Sequence, residues 1–220
     1  MALSLSQNDA LRRLAKPGMS VASMGYPDII TDVGEMPGLA YRADSEAICK
    51  RHGLKLRPIP DAESYFSLLG CDLHVYDIVQ ERGCERICDL NEKGNLDYAK
   101  GFYDIVLDVG TAEHVINVWQ ALVNMASMVK VGGHILHENP HSGWTNHGFF
   151  SLHPTLFYDF YTSNGFEIVN LNLTTRNGDQ YECHPTKRMK LGELRDVNIF
   201  CMAKRKEDVP FSFPKQSKYA

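Results

Sequence analysis

Short apolar runs that stop at polar or glycine-bearing ends dominate this chain. Residues 19–24 (MSVASM) stop at Gly25, Tyr26, Pro27 and Asp28; residues 73–78 (LHVYDI) carry Asp77 near their end; residues 104–109 (DIVLDV) reach Asp108 just before Gly110 and Thr111. Runs of this length bounded by turn residues predict buried strands of a largely parallel sheet. A further short strand is expected at 85–90 (ERICDL). Val115, Val118, Trp119, Leu122, Ala126 and Val129 recur at three- and four-residue spacing, which predicts a helix from Glu113 to about Val129. A turn at Gly132 and Gly133 then leads into a strand at 134–137, followed by the unusual loop HENPHSGWTNHGFFSLHP. Pro154 suits the first turn of a helix over 154–163. Residues 166–173 and 197–203 read as the last two strands, with no helix between them, and so predict an antiparallel hairpin at the sheet edge. Near the start, Leu3, Leu5, Leu11 and Leu14 predict an amphipathic helix over 3–16, and Asp61 caps a second helix through Leu69, closed by Gly70.

Strands alternating with helices give an α/β, three-layer, Rossmann-like sheet. One domain is expected over 1–203, with a tail at 204–220. Residues 29–60, with Gly34, Pro37, Gly38, Pro58 and Pro60, hold only a short helix at 44–50 and are read as an insertion forming a lid over a bound cofactor. In such sheets ligands bind outside the carboxyl ends of the strands, where a first-strand turn lets a nucleotide approach the backbone and a second-strand acid takes the ribose hydroxyls. Gly25 supplies that turn and Asp77 that acid, although GxGxxG is absent and Asp77 lies 52 positions on (77 − 25) rather than the usual ~20. The 29–60 insertion accounts for the surplus. Asp89, Leu90 and Asn91 would read an adenine with polar atoms beside an apolar side chain.

Composition narrows the classes. The 220 residues carry a net charge of −4 and a pI near 6.1, so no overall basic field holds nucleic acid or an acidic membrane. No apolar run nears the ~20 residues of a membrane span, and the N-terminus lacks a secretory apolar core. Six scattered cysteines without CxxC fit reduced thiols in a cytoplasmic protein and argue against structural zinc. A homo-oligomer is left open.

Residues 110–115 (GTAEHV), 128–136 (MVKVGGHIL) and 146–161 (NHGFFSLHPTLFYDFY) carry a resemblance. With their flanks, from Val21 to Ala203, they look like a class I S-adenosylmethionine (SAM) dependent methyltransferase, and more narrowly like a bacterial group acting on sugars and other small molecules. The resemblance implies a seven-stranded, mostly parallel sheet whose last strand is antiparallel. It also implies SAM near Gly25, Tyr26, Asp77, Asp89, Leu90, Asp108, Gly110 and Thr111. The chain departs from the pattern at Ser23, where an acid is common, and at Pro27, where a second glycine would stand.

Methyl transfer from a sulfonium needs an acceptor aligned in line, and often a base to take its proton. Histidine titrates near neutrality, and five of the nine histidines fall between 134 and 153. His114 or His147 is the expected general base, with Glu113 orienting one of them. A second reading has Glu113, His114 and His147 binding a divalent cation, an arrangement resembling small-RNA 2′-O-methyltransferases. Those enzymes carry another glutamate where this chain has Gly110. Trp144, in a polar loop, is expected to be exposed and to face the acceptor together with His141 and Arg42. The expected activity is O-methylation of a sugar, nucleotide-sugar or natural-product precursor. A non-catalytic scaffold and an NAD(P)-dependent enzyme are the competing classes, the latter disfavoured by the missing fingerprint glycines.

Overall fold

The computed structural model describes residues 2–219, apart from 176–177, 185–186, 191 and 193–194. In chain order the elements are β1 (Ala2–Leu3), α1 (Leu5–Leu14), β2 (Ser20–Met24), β3 (Asp28–Ile29), α2 (Ser45–Arg51), α3 (Ala62–Leu68), β4 (Asp72–Asp77) and β5 (Arg86–Ile87). Then follow β6 (Tyr103–Asp108), α4 (Val118–Met128), β7 (Val129–Ser142), α5 (Pro154–Ser163), β8 (Phe166–Thr174), β9 (Gln180–Glu182) and β10 (Val197–Arg205). Eight strands form the main sheet in the order β5-β4-β2-β6-β7-β10-β8-β9. The first five run parallel, while β10 is antiparallel to both β7 and β8.

Period-two alternation decides which helices each strand meets. Ala22, Val106 and Ile135 point to the face covered by Leu122 and Met125 of α4 and by Phe157, Phe160 and Tyr161 of α5. Val21, Ile105, Leu107 and Leu136 point to the other face, under Leu11 of α1 and Tyr65 and Phe66 of α3. Asp61 caps α3 as expected, accepting from the Ser64 N–H at 3.0 Å.

Several elements differ from the sequence reading. The sheet has eight strands rather than seven; the extra one is β9, three exposed residues with no apolar alternation to announce them. The β8/β10 pair is antiparallel, but β10 sits inside the sheet and β9 forms the edge. Gly132 and Gly133 make no chain reversal. They sit in an irregular stretch where pairing jumps from Tyr103–Val129 to Ile105–His134, and β7 continues to Ser142. The first third of the expected loop, 137–142, is therefore strand, paired with β10.

The helix expected from Glu113 starts only at Val118. Ala112–His114 form a separate 3-10 turn, because β-branched Val115 and Ile116 leave helical geometry and Asn117 caps α4 by accepting from the Gln120 N–H. The tail folds back: Phe213 stacks on Trp119 at 4.2 Å, and Asn164 and Ser212 exchange two hydrogen bonds. Among the described residues, no helix is long and apolar enough to cross a membrane.

Candidate functional site

Two cavities open at the carboxyl ends of β2, β4, β6 and β7. The first, of about 300 Å³, is lined by Gly25, Asp77, Leu90, Asn91, Thr111 and His114, among others. Its geometry starts where β2 ends. Gly25 adopts φ +84°, a left-handed conformation costing a non-glycine residue roughly 1–2 kcal/mol, and its N–H donates to Tyr76 O at 2.7 Å. Thr111 ties the same turn to β6 by donating its hydroxyl to Met24 O at 2.7 Å. Asp77 lies half-buried at the end of β4, where Oδ1 accepts the Ile78 N–H at 2.7 Å. Asp89 Oδ1 takes both the backbone and side-chain N–H of Asn91 at 2.8 Å, fixing the turn that presents Leu90. Exposed Ile78 and buried Val115 add apolar wall. Cys88 in the floor is an inert thiol, pushed up to about 11 by burial and then by the Asp89 charge.

The second cavity, of about 240 Å³, includes Glu113, His114, Glu138, Trp144, His147 and Asn198 in its lining. His114 belongs to both. Glu113 is fully buried, and Asn139 Nδ2 donates to its Oε2 at 3.0 Å. Its Oε1 accepts no hydrogen bond among the described residues, and faces His147 Nε2 at 3.4 Å and His114 Nε2 at 3.8 Å.

Gly148 makes this possible. The Phe149 and Phe150 N–H groups both donate to Glu113 O (2.9 and 3.2 Å), and a Cβ on Gly148 would meet that carbonyl at 2.9 Å. The NHGFF stretch is thus a backbone clamp that lays His147 over Glu113. Gly148→Ala is expected to cost about 1–3 kcal/mol by overpacking, visible as a fall of about 2–12 °C in Tm. An unchanged melting curve would show that the loop is not clamped.

The remaining expected site residues separate. Asp108 lines neither cavity. It is fully buried, accepting from His137 Nδ1 (2.7 Å), Asn139 Nδ2 (2.9 Å) and the Thr111 and Ala112 N–H groups (2.8 and 3.3 Å). Gly110 lines the second cavity rather than the first. Tyr26 is buried away from both: its hydroxyl donates to Asp61 at 2.7 Å, and the guanidinium groups of Arg42 and Arg82 lie over its ring. Arg42 is bound by both its Nε and Nη2 to Asp44, so it anchors the insertion and lines neither cavity.

His141 Nδ1 donates to Leu152 O at 2.8 Å and lines a third hollow of about 360 Å³ with Lys187 and Arg188. Trp144 is half-buried, not exposed, with its indole N–H enclosed at the second cavity. Residues 29–60 contribute Ile30 and His52 to the second cavity and none of the described lining of the first.

Sequence reasoning missed Glu138. It is half-buried, and its carboxyl is pushed up by burial, against hydrogen bonds from Ser4, Asn198 and Thr174. The only hint was a charged residue inside an apolar β7, which a loop assignment concealed.

No family model matches the chain, and no curated protein matches it in sequence. Solved structures do. The N-methyltransferase NodS from Bradyrhizobium japonicum WM9, crystallised with S-adenosylhomocysteine (SAH), superposes with a TM-score of 0.51 at 12% identity, covering 92% of this chain and 87% of its own. A chain from the complex between the Haloferax volcanii Trm112 methyltransferase activator and a candidate methyltransferase gives 0.51 at 8% identity, covering 91% and 88%. With its five parallel strands and inserted antiparallel β10, the chain has the class I methyltransferase fold.

Proposed function

We propose that this protein is a SAM-dependent methyltransferase that methylates a hydroxyl of a small molecule, such as a sugar, a nucleotide-sugar or a natural-product precursor. The observation that carries the proposal is the meeting of two cavities at His114, one suited to a nucleoside and the other lined by titratable groups. The first cavity fits SAM by the chemistry of its donors and acceptors. Asp77 Oδ2 is available for the ribose hydroxyls, the Asp89–Asn91 turn sets polar atoms beside Leu90, and Ile78 and Val115 offer apolar contact for a flat base. Its volume lies at the small end of ligand sites.

When bound, SAM supplies a methyl group on a positively charged sulfur. The chain's own residues do the rest. The first cavity holds the nucleoside, Trp144 walls the acceptor, and the Glu113, His114 and His147 cluster faces the hydroxyl whose proton must leave. Buried Glu113 supplies negative charge where water is largely excluded, which strengthens its pull on whatever cationic group the cluster holds. The six cysteines are all unpaired, which suits a reducing compartment such as the cytoplasm.

Calorimetric titration of cofactor-stripped protein with SAM and SAH tests the reading. Micromolar binding of both is expected. Well-folded protein that binds neither would instead be a methyltransferase-like scaffold.

A further inference from the structure

We propose that Glu113, His114 and His147 hold one divalent first-row transition cation, with an open coordination position facing the second cavity. One ligand atom from each of the three residues lies within 4.8 Å of the other two. A tetrahedral ion with bonds of about 2.1 Å has ligand atoms about 3.4 Å apart. The Glu113 Oε1 to His147 Nε2 distance is 3.4 Å, and that to His114 Nε2 is 3.8 Å. Both imidazoles are partly exposed, 46% and 40% of their side-chain surface, so small ring rotations can close the set.

Two further observations point to a ligand rather than to a plain ion pair. Glu113 is completely buried, yet Oε1 has no hydrogen-bond partner among the described residues, an arrangement that costs about 1–3 kcal/mol or more if nothing binds there. Its other oxygen is held by Asn139, which Asp108 holds in turn. A carboxylate oriented through one oxygen with the other left free is what a supporting shell does for a metal ligand. The donor set of two imidazole nitrogens and one carboxylate oxygen suits zinc, cobalt or iron(II) better than magnesium or calcium.

The cation site stands on geometry alone, but its chemical role rests on the proposed methyl transfer. Bound at the open position, an acceptor hydroxyl is acidified and its proton passes to water. Its oxygen then forms the new C–O bond as the C–S bond of the sulfonium breaks, and the electron pair stays on sulfur. Nothing is oxidised or reduced. The two histidines serve as ligands in this scheme, not as bases.

The test is titration of chelator-stripped full-length protein with cobalt(II), followed by visible absorption, with SAH calorimetry on the same samples. One cobalt per chain with micromolar affinity is expected, with d–d bands of a four- or five-coordinate ion. Glu113→Gln and His147→Ala should each weaken binding at least about 30-fold, whereas His134→Gln, at a histidine elsewhere on β7, should leave it unchanged. His147 is exposed enough that its variant serves if Glu113→Gln fails to fold. Cobalt binding without SAH binding would keep the cation site and sink the methyltransferase reading. SAH binding with no cobalt binding, or with cobalt binding indifferent to both variants, overturns the site and returns the cluster to histidine-base chemistry.

Discussion

Asp77→Ala is expected to bind SAH about 10–100-fold more weakly than the unaltered protein, with little change in stability. On the proposed reading of the first cavity, the affinity loss follows from removing a charged acceptor for a ribose hydroxyl. Hydrogen bonds to charged groups contribute roughly 1.5–3 kcal/mol, and each 1.4 kcal/mol is about tenfold in affinity. Stability is spared because Asp77 is half-buried and, among the described residues, its side chain accepts only from the adjacent Ile78 and Val79 N–H groups. Asp77→Asn should fall between the two proteins, since it keeps one acceptor oxygen and loses the charge. Calorimetry with SAH and with adenosine separates the contributions, because both ligands carry the ribose. Loss of less than about threefold for Asp77→Ala would place the ribose elsewhere.

The chain shows its sheet openly and its site unevenly, for physical reasons. The parallel centre is legible because β2 and β6 are buried along nearly their whole length and read as apolar runs, while β4, exposed at its start and half-buried at its end, is marked by the acid that closes it. Asp77, Asp89, Leu90 and Thr111 meet at the first cavity because each closes a strand or turn at the carboxyl side of the sheet.

Asp108 misled because a strand end alone does not tell which way its last side chain points. The alternation does. Val106 and Asp108 share the face covered by α4 and α5, so Asp108 lies under Tyr161 beside His137. Pairing partners, which sequence does not display, decided the rest. β7 persists through its glycines because β6 and β10 flank it, and β9 exists because three exposed residues pair with β8. Tyr26 and Arg42 look like cofactor and acceptor contacts in the chain, but their cation–π stack serves to fasten the insertion. Gly148 carried no local signal at all. Its role appears only when the loop and the 3-10 turn, distant in sequence, touch.

The clamp beneath the site carries the largest expected effect on stability. Asp108→Ala is expected to destabilise the fold by about 3–5 kcal/mol, the usual cost of stranding one partner of a buried charged pair, or about 6–20 °C in Tm. It would strip an acceptor from His137 Nδ1 and the Ala112 N–H in a buried place, and one acceptor each from Asn139 Nδ2 and the Thr111 N–H. Among the described residues His137 would keep one side-chain hydrogen-bond partner, the Tyr161 hydroxyl at 2.5 Å. The pH dependence has a definite sign. Burial alone would raise the Asp108 carboxyl, but the hydrogen bond and charge of His137, with help from Asn139 and the Thr111 N–H, bring it below the ordinary value of 3.8. A carboxyl depressed by folding contributes stability that is fully present above its unfolded pKa and is lost as pH falls through the folded one. The unaltered protein should therefore lose Tm progressively below about pH 4, the region of a free aspartate. Asp108→Ala should show a shallower decline from a lower plateau. Pairing it with His137→Leu should cost less than the sum of the two single changes, because the residues share one contact. Thermal melts of the four proteins between pH 3 and 7 measure all of this. Additive losses, or parallel acid limbs with and without Asp108, would mean that the carboxylate does not hold the turn on which Glu113 and His114 are carried.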